Sequence, residues 1–324
     1  MPVQAKTIKE NFMIKKLLCI VSATFIALSL FGCTTGNRKD SGKLKIVTTL
    51  FPQYDFARNI AKDKADIELL LPAGVESHSF DPTANDIISI NKSDVFIYTG
   101  KYMEVWAEKL ITDLDKDAVK IVDVSKGINL VKEDEEEHED DEHEDEHDHE
   151  YDPHIWTDPQ NAKIMVDNIT EALCEADKDN AEFYRKNAEE YKAQLDSLDN
   201  EFKSIVSESK HKELFFGGRF ALYYFAKRYD INWTAAYDSC STETEPSAKA
   251  VSEIIKQMKE KKIKVIYYEE LVDPKVANTI AKETGAKALL LHSCHNVSKS
   301  DFDNGETYIS LMKKNAENLW EGLN

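Results

Sequence analysis

From Leu44 onward the chain carries eight short apolar runs in two sets of four, and each run is nearly continuous rather than alternating. A continuous run suits a parallel strand covered on both faces, because a solvated face would place a polar residue at every second position. The first set is Leu44 to Leu50, Ile67 to Leu71, Val95 to Thr99 and Val119 to Val124, with helices starting near Pro52, Thr83 and Tyr102. The second is Leu214 to Phe216, Ile231 to Ala236, Lys264 to Tyr268 and Lys287 to Leu291, again with helical patterns between. Between the sets, Tyr184, Ala188, Tyr191, Leu195, Leu198, Phe202 and Ile205 recur at alternating spacings of four and three, which is one apolar stripe on one helix about 33 Å long. Three heptads with aromatic positions fit packing across two bodies better than a coiled-coil dimer. The predicted class is α/β: two similar lobes, each a four-stranded mostly parallel sheet flanked by helices, joined by one long helix with a cleft between them. A rigid helical connector predicts limited hinge motion.

The N-terminus reads as an address. After Lys15 and Lys16, the uncharged stretch Leu17 to Gly32 meets Cys33. Its sixteen residues span about 24 Å as a helix, short of the roughly 30 Å hydrocarbon core, so residues 1–32 are predicted to be a signal peptide, not a membrane span. Leu30-Phe31-Gly32-Cys33 resembles a bacterial lipobox, with Cys33 as the lipid-bearing residue and residues 33–42 as a polar tether. Met13-Ile14-Lys15-Lys16 is a complete basic start, so translation is expected to begin at Met13. The protein is expected at the extracytoplasmic face of the cell membrane, lipid-anchored and monomeric. The domains follow as residues 43–160 for the N-terminal lobe, 161–210 for the linking helical segment and 211–324 for the C-terminal lobe.

The formal net charge is −19, but residues 133–150 alone hold fourteen Asp and Glu, with His138, His143, His147 and His149 among them and no Lys or Arg. The rest of the molecule is close to balanced. No basic stripe is available to neutralise phosphates, which excludes a nucleic-acid binder. Five cysteines, two of them in the N-terminal segment, exclude a disulfide scaffold.

In parallel sheets, ligands bind beyond the carboxyl ends of the strands. There the sequence has Pro72-Ala73-Gly74-Val75-Glu76-Ser77-His78 after the second run and His292-Ser293-Cys294-His295 after the last. A third histidine stands in Asp152-Pro153-His154-Ile155-Trp156-Thr157-Asp158-Pro159, just past the acidic run. Neutral imidazoles are good zinc ligands, and three on separate loops suit an ion held between lobes.

The segments FPQYDFARNIA, LPAGVESHSFDPT, KSDVFIYTG, YDPHIWTDP, YYFAKRY, ETEPSAKAVSEIIKQMKEKKIKVIYYEE and GETYISLMKKNAENL resemble the metal-binding substrate-binding lipoproteins of zinc and manganese ABC importers. The resemblance implies two pseudo-symmetric lobes joined by a long helix, with one metal in the cleft. It implies His78 and His154 as ligands, and His292 where the family has an acidic one. It also implies an ABC permease and its ATPase as partners, with Zn²⁺ as the transported ligand and Mn²⁺ less favoured. The acidic run would be a metal-collecting loop of many weak sites.

The chain departs from the family at Arg219, which stands where relatives have His or Glu. A guanidinium stays protonated and cannot coordinate a cation. His295 and Glu243 are the further candidate ligands, and Arg219 is expected to turn aside and pair with Glu243 or Glu245. Cys240 and Cys294, on one rim outside the cytoplasm, are expected to form a disulfide, and Cys174 to be buried and inert. HExxH, GxSxG and Walker A patterns are absent, so the expected role is binding and not catalysis. A metal-sensing or adhesin lipoprotein, or import of manganese or a chelated metal, is the alternative on the same fold.

Overall fold

The apolar runs become strands, with ends within a few residues of those expected. The computed structural model describes residues 42–77, 80–132, 151–237 and 246–324. In the first lobe β1 (Leu44–Thr48), β2 (Ala65–Leu69), β3 (Val95–Tyr98) and β4 (Lys120–Asp123) form an all-parallel sheet in the order β2-β1-β3-β4. Every residue of β3 is buried, as a central strand covered on both faces requires. In the second lobe β5 (Glu213–Arg219), β6 (Asn232–Tyr237), β7 (Val265–Tyr268) and β8 (Lys287–Leu290) repeat the arrangement as β6-β5-β7-β8, again all parallel.

The helices of the first lobe are α1 (Phe51–Ala61), α2 (Ala84–Asn91) and α3 (Val105–Asp113). Pro52 lies in the first turn of α1, where its missing N–H costs no helical bond. Helix α3 begins later than Tyr102, because the preceding Glu104 folds inward to accept hydrogen bonds from the backbone of Thr99 and Gly100.

Two helices follow, α4 (Pro159–Ala176) and α5 (Ala181–Glu208), and α5 is the predicted connector extended by a few residues at each end. All seven residues of its stripe are buried. Near its start, Asn187 donates to the carbonyl of Ile60 (2.8 Å) and the Tyr191 hydroxyl to Asp55 (2.9 Å), both on α1. Toward its end, Phe202 meets Phe225 edge-on at 4.8 Å, and Asp199 accepts from Arg228 (2.8 Å) and the Tyr229 hydroxyl (3.0 Å). These partners lie on α6 (Tyr223–Tyr229), in the second lobe.

The second lobe is completed by α7 (Ala248–Lys261), α8 (Lys275–Thr284), α9 (Lys299–Asp303) and α10 (Tyr308–Leu323). One hydrophobic cluster runs from β1 and α1 through α4 and α5 to β5, α6 and α10, and Leu44–Asn324 make up one compact unit. Asp55, fully buried, ties three helices together: it accepts from Arg58 on α1 (2.8 Å), Tyr191 on α5 and the Tyr308 backbone on α10 (3.0 Å). A continuous core leaves no soft joint between the lobes.

Candidate metal centre

Both sheets point their carboxyl ends at the same space, and three loops meet there. The loop after β2 is pinned to the loop after β8 by Asn296, fully buried, whose side chain donates to the carbonyls of Pro72 (2.9 Å) and Val75 (2.7 Å). The Gly74 backbone donates to Val297 (2.8 Å), with Gly74 at φ +86°, a conformation glycine adopts without strain. His78, at the end of the first loop, lies outside the described residues. So do Cys33, Glu243, Cys240 and the four histidines of the acidic run. The two ends of that run are held side by side by an antiparallel bridge between Lys132 and Tyr151.

His154 has no exposed surface. Asp152 Oδ1 accepts from its backbone N–H at 2.8 Å and lies 3.2 Å from Nδ1, while Trp156 packs against the ring edge-on at 5.5 Å. A carboxylate on Nδ1 fixes the proton there and gives Nε2 the lone pair, the usual way a ligating imidazole is oriented. The segment is locked from both lobes, since Trp156 donates to the Ser293 carbonyl (2.7 Å) and accepts at its own carbonyl from Tyr308 (2.6 Å).

His295 repeats the device from the other lobe. Its Nδ1 lies 3.2 Å from Glu270 Oε1 and also contacts the Ser293 hydroxyl. Glu270, itself buried, accepts from the Ser293 hydroxyl (2.6 Å) and backbone (2.8 Å), so the carboxylate is held in place before it holds the imidazole. Burial pushes the His295 pKa below the ordinary imidazole value, with Glu270 pulling the other way. The rings of His154 and His295 stand 6.4 Å apart. Two imidazoles on one Zn²⁺, with bonds of about 2.0–2.1 Å, have centroids roughly 5–6 Å apart, so a small approach brings both onto one ion.

His292 sits differently. Its Nδ1 accepts the backbone N–H of Cys294 at 2.9 Å, which leaves the proton on Nε2, and lies 3.5 Å from Glu270 Oε2; Nε2 is buried with no hydrogen-bond partner among the described residues. A protonated nitrogen is not a ligand. The cavity of about 90 Å³ beside the site is lined by His295, Glu270, Glu269, Glu76 and Arg219 among others, and His292 is not among its walls. Among the described residues no three His, Cys, Asp or Glu side chains converge to hold an ion.

Two expectations rest on partners outside the described residues. Cys294 is a free thiol with no exposed surface, and Cys240, its expected disulfide partner, lies outside the described residues. At φ +66° the chain reverses at Cys294, and the side chain enters the core cluster instead of the rim; burial raises its pKa well above the usual thiol value. Arg219 has its described ion-pair partner in Glu76, on the opposite lobe, at 4.0 Å; Glu243 and Glu245 lie outside the described residues. Cys174 is buried, as expected, and its thiol lies 3.4 Å from the Ala181 carbonyl. Sequence reasoning missed Asp152 and Glu270 as orienting groups. The available signals were an acid two residues before His154 and a pair of acids directly after the apolar run Val265 to Tyr268.

The family described as zinc-uptake complex component A, periplasmic (ZnuA), matches residues 46–322. The high-affinity zinc uptake system protein ZnuA of Bacillus subtilis is 39 % identical over 310 residues, covering 94 % of this chain and 97 % of that one. The structure of the metal-dependent lipoprotein YcdH of B. subtilis superposes with a TM-score of 0.75 at 36 % identity, over 87 % of this chain and 99 % of that one. The Zn(II)-bound ZnuA-like domain of Streptococcus pneumoniae AdcA gives 0.74 at 34 %, over 87 % and 99 %. With its two parallel sheets, one connecting helix and carboxylate-oriented histidines at their meeting point, the chain belongs to the ZnuA family of zinc-uptake components.

Proposed function

We propose that the chain captures Zn²⁺ outside the cytoplasm with His78, His154 and His295 as ligands and delivers it to an ABC permease driven by its ATPase. The observation that carries this reading is the facing pair of imidazoles, each with Nδ1 on a buried carboxylate. A set of neutral nitrogen donors favours zinc over manganese, which prefers oxygen. His292 then has a supporting role: it receives the Cys294 N–H and helps shape the turn that presents His295. Lipid on Cys33 would hold the protein, as a monomer, at the membrane, and the acidic run would raise the local metal concentration. Zinc competition titration tests the ligand set. His154→Ala and His295→Ala should each lose more than about a hundredfold in affinity, beyond the 10–100-fold typical of outer-shell changes. Unchanged affinity in either variant overturns the assignment.

A further inference from the structure

Arg219 occupies a place for which metal capture alone supplies no use. It and Glu269 line both the cavity of about 90 Å³ that His295 faces and a second pocket of about 640 Å³ at the carboxyl ends of β5, β6 and β7. A bare ion needs none of that second volume, whereas it falls in the range of small organic ligand sites. We infer that the protein takes its metal as a complex with a small aminocarboxylate chelator, whose free carboxylate lies on Arg219 at the mouth of the second pocket. The inference rests on the zinc-capture reading above.

The chemistry of the walls sets the ligand class. A guanidinium has five N–H donors in a planar fork that matches a carboxylate. Among the described residues, the Arg219 side chain donates no hydrogen bond within normal range. The nearest described carboxylate oxygen, on Glu76, is 4.0 Å away, and the side chain keeps 29 % exposure. The Arg219 backbone N–H donates to Glu269 Oε1 at 3.2 Å. Glu269 lies over Gly218, where a Cβ would collide with the carboxylate, so Gly218 makes room for this wall. Burial raises the Glu269 pKa, which lessens its repulsion of an incoming anion. The other cation of the pocket, Lys275, is paired with Asp273 at 3.2 Å. Tyr237, Tyr268, Val251 and Val276 give the remaining walls an apolar character. Among the described residues, one cation held only by a 4.0 Å ion pair, beside apolar walls, suits a single carboxylate on a ring-bearing or aliphatic body, not a polycarboxylate. A dication beside a guanidinium is repelled by it, and a carboxylate between the two attracts both.

L-Histidine is a suitable probe, since it chelates zinc through two nitrogens and leaves its carboxylate free. Equilibrium dialysis of radiolabelled L-histidine against the full chain, with and without one equivalent of zinc, tests the inference, with zinc alone titrated in parallel. The expected result is about one histidine retained by the zinc-loaded chain, with retention weakened tenfold or more in Arg219→Gln. Equal retention by Arg219→Gln, or none by the unaltered loaded chain, overturns it. Should the variant fail to fold, imidazole, which lacks the carboxylate, replaces it as a competitor on the unaltered chain. Displacement by imidazole as readily as by histidine also overturns it. Failure of zinc alone to bind would instead bring down the zinc-capture reading.

Discussion

The two sheets share one strand order, yet their carboxyl ends are finished in opposite ways. In the first lobe the end of β3 is closed by its own carboxylate: Glu104 accepts from the Thr99 backbone (3.0 Å), the Thr99 hydroxyl (3.0 Å), Gly100 (3.2 Å) and the Thr49 hydroxyl (2.5 Å). In the second lobe the corresponding end of β7 runs straight into Glu269 and Glu270. Both face the cavity, and Glu270 orients a candidate ligand. Pseudo-symmetry of the fold therefore does not extend to the site. The first lobe supplies a sealed base, and the second supplies the wall where chemistry can vary, which is where Arg219 departs from the family resemblance.

If this contrast holds, the largest effects belong to the orienting carboxylates and the closing one, in different observables. Removing a group that orients a ligand typically costs 10–100-fold in metal affinity, so Glu270→Ala and Asp152→Ala should each weaken zinc by that factor in a competition titration. A loss confined to Asp152→Ala would show that the second lobe does not orient a ligand. Glu104 should instead report on stability. Burial pushes its pKa up to about 7 from an ordinary carboxylate value near 4.5. The folded state therefore holds a proton that the unfolded state has lost between those values, and stability falls as pH rises from about 4.5 to 7, by on the order of 3 kcal/mol. In Glu104→Gln that slope should vanish in urea unfolding followed across this pH range, with zinc absent. A slope that persists in the variant would assign it to another group.

Smaller effects sharpen the picture further. Zinc affinity should hold steady near pH 7 and decline below about 6.5 as ligand imidazoles gain protons. Because burial lowers the His295 pKa, its share of the decline should come at lower pH than for a free imidazole. Calorimetric zinc titration between pH 5 and 7.5 measures this, and an affinity indifferent to pH would argue against histidine ligands. Deleting residues 133–150 should leave the tight site unchanged, since Lys132 and Tyr151 already bring the cut ends together. The same titration should show the loss of several weak equivalents. Loss of the tight site on deletion would place a histidine of that run among its ligands.

Much of the fold was legible because burial on both faces of a parallel strand leaves a run of apolar residues, and burial of one helix face leaves a stripe. The seven stripe residues of α5 are all buried for that reason. The site was legible only in part. His292 and His295 are three residues apart in a loop, and which one enters the cavity depends on the chain reversal at Cys294, whose left-handed conformation no glycine announces. Glu270 was hidden for a related reason. Its sequence position says that it ends a strand, but the two hydrogen bonds from Ser293 that fix its carboxylate come from a residue 23 positions away.

On this reading the ion is held by one histidine from each of three loops, with His295 and not His292 serving the second lobe. Diffraction from crystals of the zinc-loaded protein, with anomalous data collected at the zinc absorption edge, tests it most directly. One strong peak is expected about 2.0–2.1 Å from nitrogens of His78, His154 and His295. A peak bonded to His292 in place of His295, or one remote from His154, would contradict it.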